Sequence, residues 1–89
     1  MKKLDFNFGI KDLDGNELGK ASKVFAGTLI SEKGGDAVKL FDWAMSLNKE
    51  GKIEVDESDF NKIKEIAEKS ENLTILSKAQ LLKYLATVK

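Results

Sequence analysis

Leu4, Phe6, Phe8 and Ile10 alternate with Asp5, Asn7, Gly9 and Lys11, the period-two pattern of a strand with one buried face. The segment Asp12-Leu13-Asp14-Gly15-Asn16 follows, and Asp-Gly is a favoured pair for the positive dihedral angles of a tight hairpin turn. Glu17-Leu18 is therefore expected to return as a short second strand, with Gly19 and Lys20 leading out of it.

The period then changes. Ala21, Val24, Phe25, Thr28 and Leu29 fall on one helical stripe, which predicts a first helix from about Ser22 to Ser31 with Ser22 as its N-cap. After Gly34-Gly35, Asp36 is placed to cap a second helix that carries Ala37, Leu40, Phe41, Ala44 and Leu47 on one side and stops at Gly51. Lys52-Ile53-Glu54-Val55 alternates again and predicts a third short strand added to the hairpin. Asp56-Glu57-Ser58-Asp59 puts capping and acidic side chains ahead of the stripe Phe60, Ile63, Ala67, where negative charge favours a helix N-terminus. A fourth helix is expected from Thr74 or Ile75 to about Thr87. These elements make a single domain over residues 1–89, of the α+β class and helix-dominated: an N-terminal β-hairpin, with a possible third strand, packed with four helices.

Composition narrows the chemistry. The 89 residues contain no cysteine and no histidine, which removes disulfides, thiol nucleophiles, imidazole bases and the usual zinc ligands together. Lysine carries all of the positive charge, with 15 Lys balanced by 15 Asp plus Glu. Zero net charge argues against non-specific nucleic-acid binding, and without arginine the chain lacks the planar fork that clamps phosphates and guanine. No apolar stretch approaches bilayer length, and Met1-Lys2-Lys3 leads into alternating rather than continuous apolar residues, unlike a signal peptide. A soluble protein of the cytoplasm is expected.

Clusters that invite a site have structural uses. Asp12, Asp14 and Asn16 alternate beside Gly15 as in a calcium loop, but placing that glycine at position six of an EF-hand puts Ile10 at position one, where a carboxylate is required. A hairpin turn explains them. Asp56, Glu57 and Asp59 are explained by helix capping, and no phosphate-cradling glycine motif is present. No catalytic residue, metal site or cofactor site is assigned, and no cofactor or small-molecule substrate is expected.

One basic element stands out. Residues 56–72 hold three lysines and six acids, a balance of −3, whereas residues 73–89 hold three lysines and no acid, a balance of +3. A fourth helix bearing Lys78 and Lys83 is the feature on which a small DNA-binding regulator would rest, although the acidic third helix is an obvious internal neutraliser.

The strongest functional signal is surplus apolar surface. In the second helix Val38 and Met45 lie off the main stripe on one side and Trp43 off the other. In the fourth, Ile75, Ala79, Leu82 and Ala86 make one face while Leu81, Tyr84 and Val88 make another. A helix apolar on both sides is either wrapped inside the domain or exposed to a partner. On the second alternative Val38, Trp43, Met45, Leu81, Tyr84 and Val88 form the surface for a protein partner or for a homo-oligomer.

Three stretches in order, Asp12-Leu13-Asp14-Gly15-Asn16-Glu17, Gly35-Asp36-Ala37-Val38-Lys39-Leu40-Phe41-Asp42-Trp43-Ala44 and Leu73-Thr74-Ile75-Leu76-Ser77-Lys78-Ala79-Gln80-Leu81-Leu82, span nearly the whole chain. In that spacing the chain resembles small uncharacterised proteins of tailed bacteriophages and prophages. The resemblance implies a phage-type product acting inside a bacterial host, in particle assembly or as an accessory that binds a host or phage component. It implies no catalytic residues.

Overall fold

A computed structural model describes residues 1–88. Its elements run β1 (Lys2–Asp5), β2 (Gly9–Lys11), β3 (Glu17–Lys20), α1 (Ala21–Ser31), α2 (Ala37–Lys49), β4 (Lys52–Val55), α3 (Glu57–Lys69) and α4 (Ile75–Thr87). Four helices and two small antiparallel sheets make a helix-dominated α+β fold. The sheets are β1 with β4 and β2 with β3.

The first strand divides where one continuous strand was expected. Leu4, Phe6 and Ile10 keep their alternation and are all buried, but the backbone changes partner between them. The Asp5 carboxylate accepts from the Asn7 amide at 2.9 Å, and the Asn7 side chain donates to the Glu50 carbonyl at 3.0 Å, which fixes a corner at Asn7. Ahead of the corner the chain pairs with β4, with Leu4 opposite Ile53 and Lys2 opposite Val55. Beyond it, β2 pairs with β3, Gly9 opposite Lys20 and Lys11 opposite Glu17. So the third strand does not extend the hairpin as predicted: it pairs with β1. A period of two specifies which face is buried and leaves the pairing partner open.

The hairpin turn spans Asp12–Asn16. Gly15 has φ +88°, its amide donates to the Asp12 carbonyl at 3.1 Å, and the Asp12 amide donates to the Asn16 carbonyl at 2.8 Å. This is a turn followed by a left-handed residue that forms a bulge, longer than a two-residue hairpin loop. The register shifts again between Ile10 and Lys11, which leaves Leu18 bulged and exposed.

Helix ends follow the expected signals at α2 and α3, and Thr74 adds a cap at α4. Asp36, Asp56 and Thr74 each accept from the amide three residues on, and Gly51 ends α2 at φ +75° with its amide on the Leu47 carbonyl at 2.9 Å. Ser22 is not a cap. The helix α1 begins at Ala21, and its first amides are taken by the corner of the first strand: Ala21 donates to the Phe8 carbonyl at 2.8 Å and Ser22 to the Phe6 carbonyl at 3.0 Å. A distant carbonyl thus replaces the local side chain, an exchange with no local sequence signature.

The core is one cluster built from the inner faces of β1, β2 and β4 and from all four helices. Phe6 is at its centre, with ring centroids 5.3 Å from both Phe25 of α1 and Tyr84 of α4. No helix among the described residues is long and apolar enough to cross a membrane.

Candidate interaction surface

The surplus apolar residues of α4 go mostly inward. Leu81 is 0% exposed, and Leu85, one turn further on the same face, is equally buried. Tyr84 and Val88 are half-buried and packed against the core. The face read as a candidate partner surface is thus the core face, and Leu81 in particular belongs to the interior. The physical reason is docking from two directions. Gln80 exchanges two hydrogen bonds with the backbone of Lys11, donating to its carbonyl at 2.6 Å and accepting from its amide at 2.9 Å, which seats α4 on β2. On the other side Leu82 is half-buried against the core and shares a groove wall with Ala86 and with Lys64 and Glu68 of α3. Of the four residues on the other face, Leu82 alone leans on the core, while Ile75, Ala79 and Ala86 are exposed.

Tyr84 is held at both ends. Its ring meets Phe6 edge-on and lies 5.1 Å from Phe8, and its hydroxyl accepts from the Asp5 amide at 2.7 Å. That amide points away from β4, so the hydroxyl caps an otherwise open strand edge. Tyr84→Phe keeps the ring and removes the acceptor, and a loss of about 1 kcal/mol is expected. Urea denaturation monitored by Trp43 fluorescence measures it, with an unchanged midpoint as the contrary result.

On α2 the division is the reverse. Leu40, Ala44 and Leu47 are buried against α1 and the sheet, whereas Phe41, expected on the buried stripe, is 56% exposed. The predicted stripe spans about 120° of the helix at ~100° per residue, and the core reaches only part of it. Val38 at 71% and Met45 at 53% exposure complete an outward stripe with Phe41, at i, i+3 and i+7. Ile30, near the end of α1, is also exposed and lines with Phe41 and Ala37 a groove of about 250 Å³ between the two helices. Sequence spacing marks neither Ile30 nor Phe41 as a candidate partner residue. Helical spacing places both on or beside an apolar stripe, but only the packing of α1 on α2 shows which flank is left uncovered.

Trp43 stands apart from this patch. It is half-buried against the core and lines a second groove, of about 320 Å³, together with Leu40 and with Lys62 and Ile66 of α3. Lys39 sits 5.9 Å above its ring and holds both carboxylate oxygens of Asp59, at 3.1 and 3.2 Å. The hydrogen bond and the charge of Asp59 raise the Lys39 ammonium above its ordinary value. The pair ties α2 to α3.

The remaining clusters are engaged in the frame. The Asp12 carboxylate accepts from the amides of Asn16 and Asp14, each at 2.9 Å, and the Asn16 bond is the chief reason it is held below the usual carboxylate range. Asp56 caps α3, Asp59 meets Lys39, and Glu57 lies 3.4 Å from Lys2. Among the described residues, no three acidic side chains gather as metal ligands. Lys78 and Lys83 lie about 140° apart around α4 at ~100° per residue, on separate faces rather than on one basic stripe.

Fold and surface together define the class, a small helix-dominated α+β domain with an uncovered apolar patch on its helical hairpin. Set against protein-family models, curated proteins and solved structures, the chain matches none.

Proposed function

We propose that this protein is a non-enzymatic interaction module that binds another protein through the outward face of the α1–α2 hairpin. The observation that supports the reading is the continuous exposure of Val38, Phe41 and Met45 along α2, joined by Ile30 from α1. Three large side chains on one outward helical stripe are more than scattered surface residues, and a contiguous apolar patch favours a partner over water. Such a partner presents an apolar face of its own to this stripe, as an amphipathic helix does. The resemblance to small phage and prophage proteins gives the setting: the cytoplasm of a bacterial host, with a host or phage protein as the partner.

Val38→Glu combined with Met45→Glu tests the proposal. Both side chains are largely in solvent and glutamate suits a helix, so the melting transition is expected to stay within about 0.5 kcal/mol of the parent. Proteins retained by the immobilised parent from a bacterial lysate are expected to be lost by the variant. Retention of the same proteins by both, or of none by the parent, overturns the reading.

A further inference from the structure

We infer that β4 is the edge through which two copies of this chain join, pairing antiparallel about a two-fold axis at Ile53 to make one four-stranded sheet. This goes beyond the proposed function and uses a different surface from the α1–α2 patch.

Backbone geometry identifies the open edge. The Phe6 amide donates to the Gly51 carbonyl at 2.8 Å, in register with the β1–β4 pairs. Hydrogen-bonded and non-bonded pairs alternate in an antiparallel ladder, so Leu4 with Ile53 and Lys2 with Val55 exchange bonds, while the N–H and C=O groups of Lys52 and Glu54 point away from β1. On β1 the corresponding outward amide of Asp5 is taken by Tyr84. No group among the described residues accepts from the amides of Lys52 or Glu54. The side chains of Lys52 and Glu54 are both exposed.

The side chains select the occupant. With Ile53 opposite Ile53 of a second copy, Lys52 meets Glu54 of that copy, and Glu54 meets its Lys52. These are the residues whose backbone groups face outward, so both pairs are hydrogen-bonded pairs and four new backbone bonds form. Within one chain, Lys3 already stands opposite Glu54 and Asp5 opposite Lys52. The joined sheet therefore carries the row Lys3, Glu54, Lys52, Asp5 across its outer face, alternating in sign through both chains, and the row Leu4, Ile53, Ile53, Leu4 across its inner face. Opposite charges directly across a ladder stabilise it and like charges oppose it. A lysine on an edge ordinarily repels other strands, but in this register the same lysine is matched. Two strands alone are marginal and four are not, and a self-complementary edge closes as a two-fold dimer without leaving a new open end.

Lys52→Glu and Glu54→Lys each test the pairing, because either one alone places like charges at both inter-chain positions, whereas a mixture of the two restores both. By light scattering, the parent at high concentration is expected at twice the chain mass of 9.9 kDa, each variant alone at the single mass, and their equimolar mixture at twice it again. A parent that stays at the single mass, variants that still dimerise, or a mixture that fails to recover overturns the inference. Should either variant lose its fold, amide hydrogen exchange of the parent decides. Protection of the Lys52 and Glu54 amides that rises with protein concentration is expected, and fast exchange at every concentration is the opposing result. Val38→Glu with Met45→Glu leaves this mass unchanged, so the two surfaces fail or stand separately.

Discussion

Leu81→Asp is expected to unfold the domain. Leu81 has no exposed surface and lies in the central cluster on the same face of α4 as Leu85. Truncating such a leucine costs about 2–5 kcal/mol through lost contacts and the cavity left behind. A carboxylate in the same place adds the cost of an unpaired buried charge, another several kcal/mol. Together these match the roughly 5–15 kcal/mol that a natural domain has in total. The far-ultraviolet spectrum should lose its helical signal at room temperature, while Leu81→Ala should retain a cooperative but weakened transition. A Leu81→Asp variant that melts as the parent does would return this residue to the list of candidate partner contacts.

Phe6→Ala should be nearly as damaging, with a cost of about 3–5 kcal/mol. The ring is fully buried between Phe25 and Tyr84, and its backbone binds both Gly51 and Ser22, so no neighbour can easily collapse into the gap. At about 4–8 °C per kcal/mol for a domain of this size, the melting temperature should fall by at least ~12 °C. Phe41→Ala provides the contrast. It removes the same ring from an exposed position on α2, and a change within about 0.5 kcal/mol is expected. Calorimetry of the two variants side by side checks the assignment of one phenylalanine to the core and the other to the surface, and equal shifts would contradict it.

Local signals reached far into this fold. Asp36, Asp56 and Thr74 cap helices because a short oxygen-bearing side chain ahead of an apolar stripe has few better uses, and Gly51 ends α2 because it adopts φ +75° without the steric penalty of a side chain. The stripe Phe60, Ile63, Ala67 is buried as its spacing indicates. The candidate surface was legible only in part. Val38 and Met45 lie where the wheel of α2 puts them, outside the core stripe, but Trp43, Tyr84 and Val88 lean on the core and Leu81 is inside it. An apolar face on a helix has the same sequence whether a neighbouring helix or a partner covers it, so α2 and α4 looked alike.

The amino-acid sequence alone determined the helices, the caps of α2 and α3, the strand-forming segments, the identity of most core positions, and the lack of thiol and imidazole groups. Each depends on residues a few positions apart or on composition. Tertiary structure alone decided that the first strand turns at Asn7 to serve two sheets, that backbone carbonyls cap α1, that Gln80 and Tyr84 seat α4, and that the apolar flank of α2 is left open while the Leu81, Tyr84 and Val88 face of α4 is filled. These join residues as many as 79 positions apart, as Asp5 and Tyr84 are. Backbone amides and apolar surfaces carry no mark of the partner they will meet, and only the assembled chain supplies it.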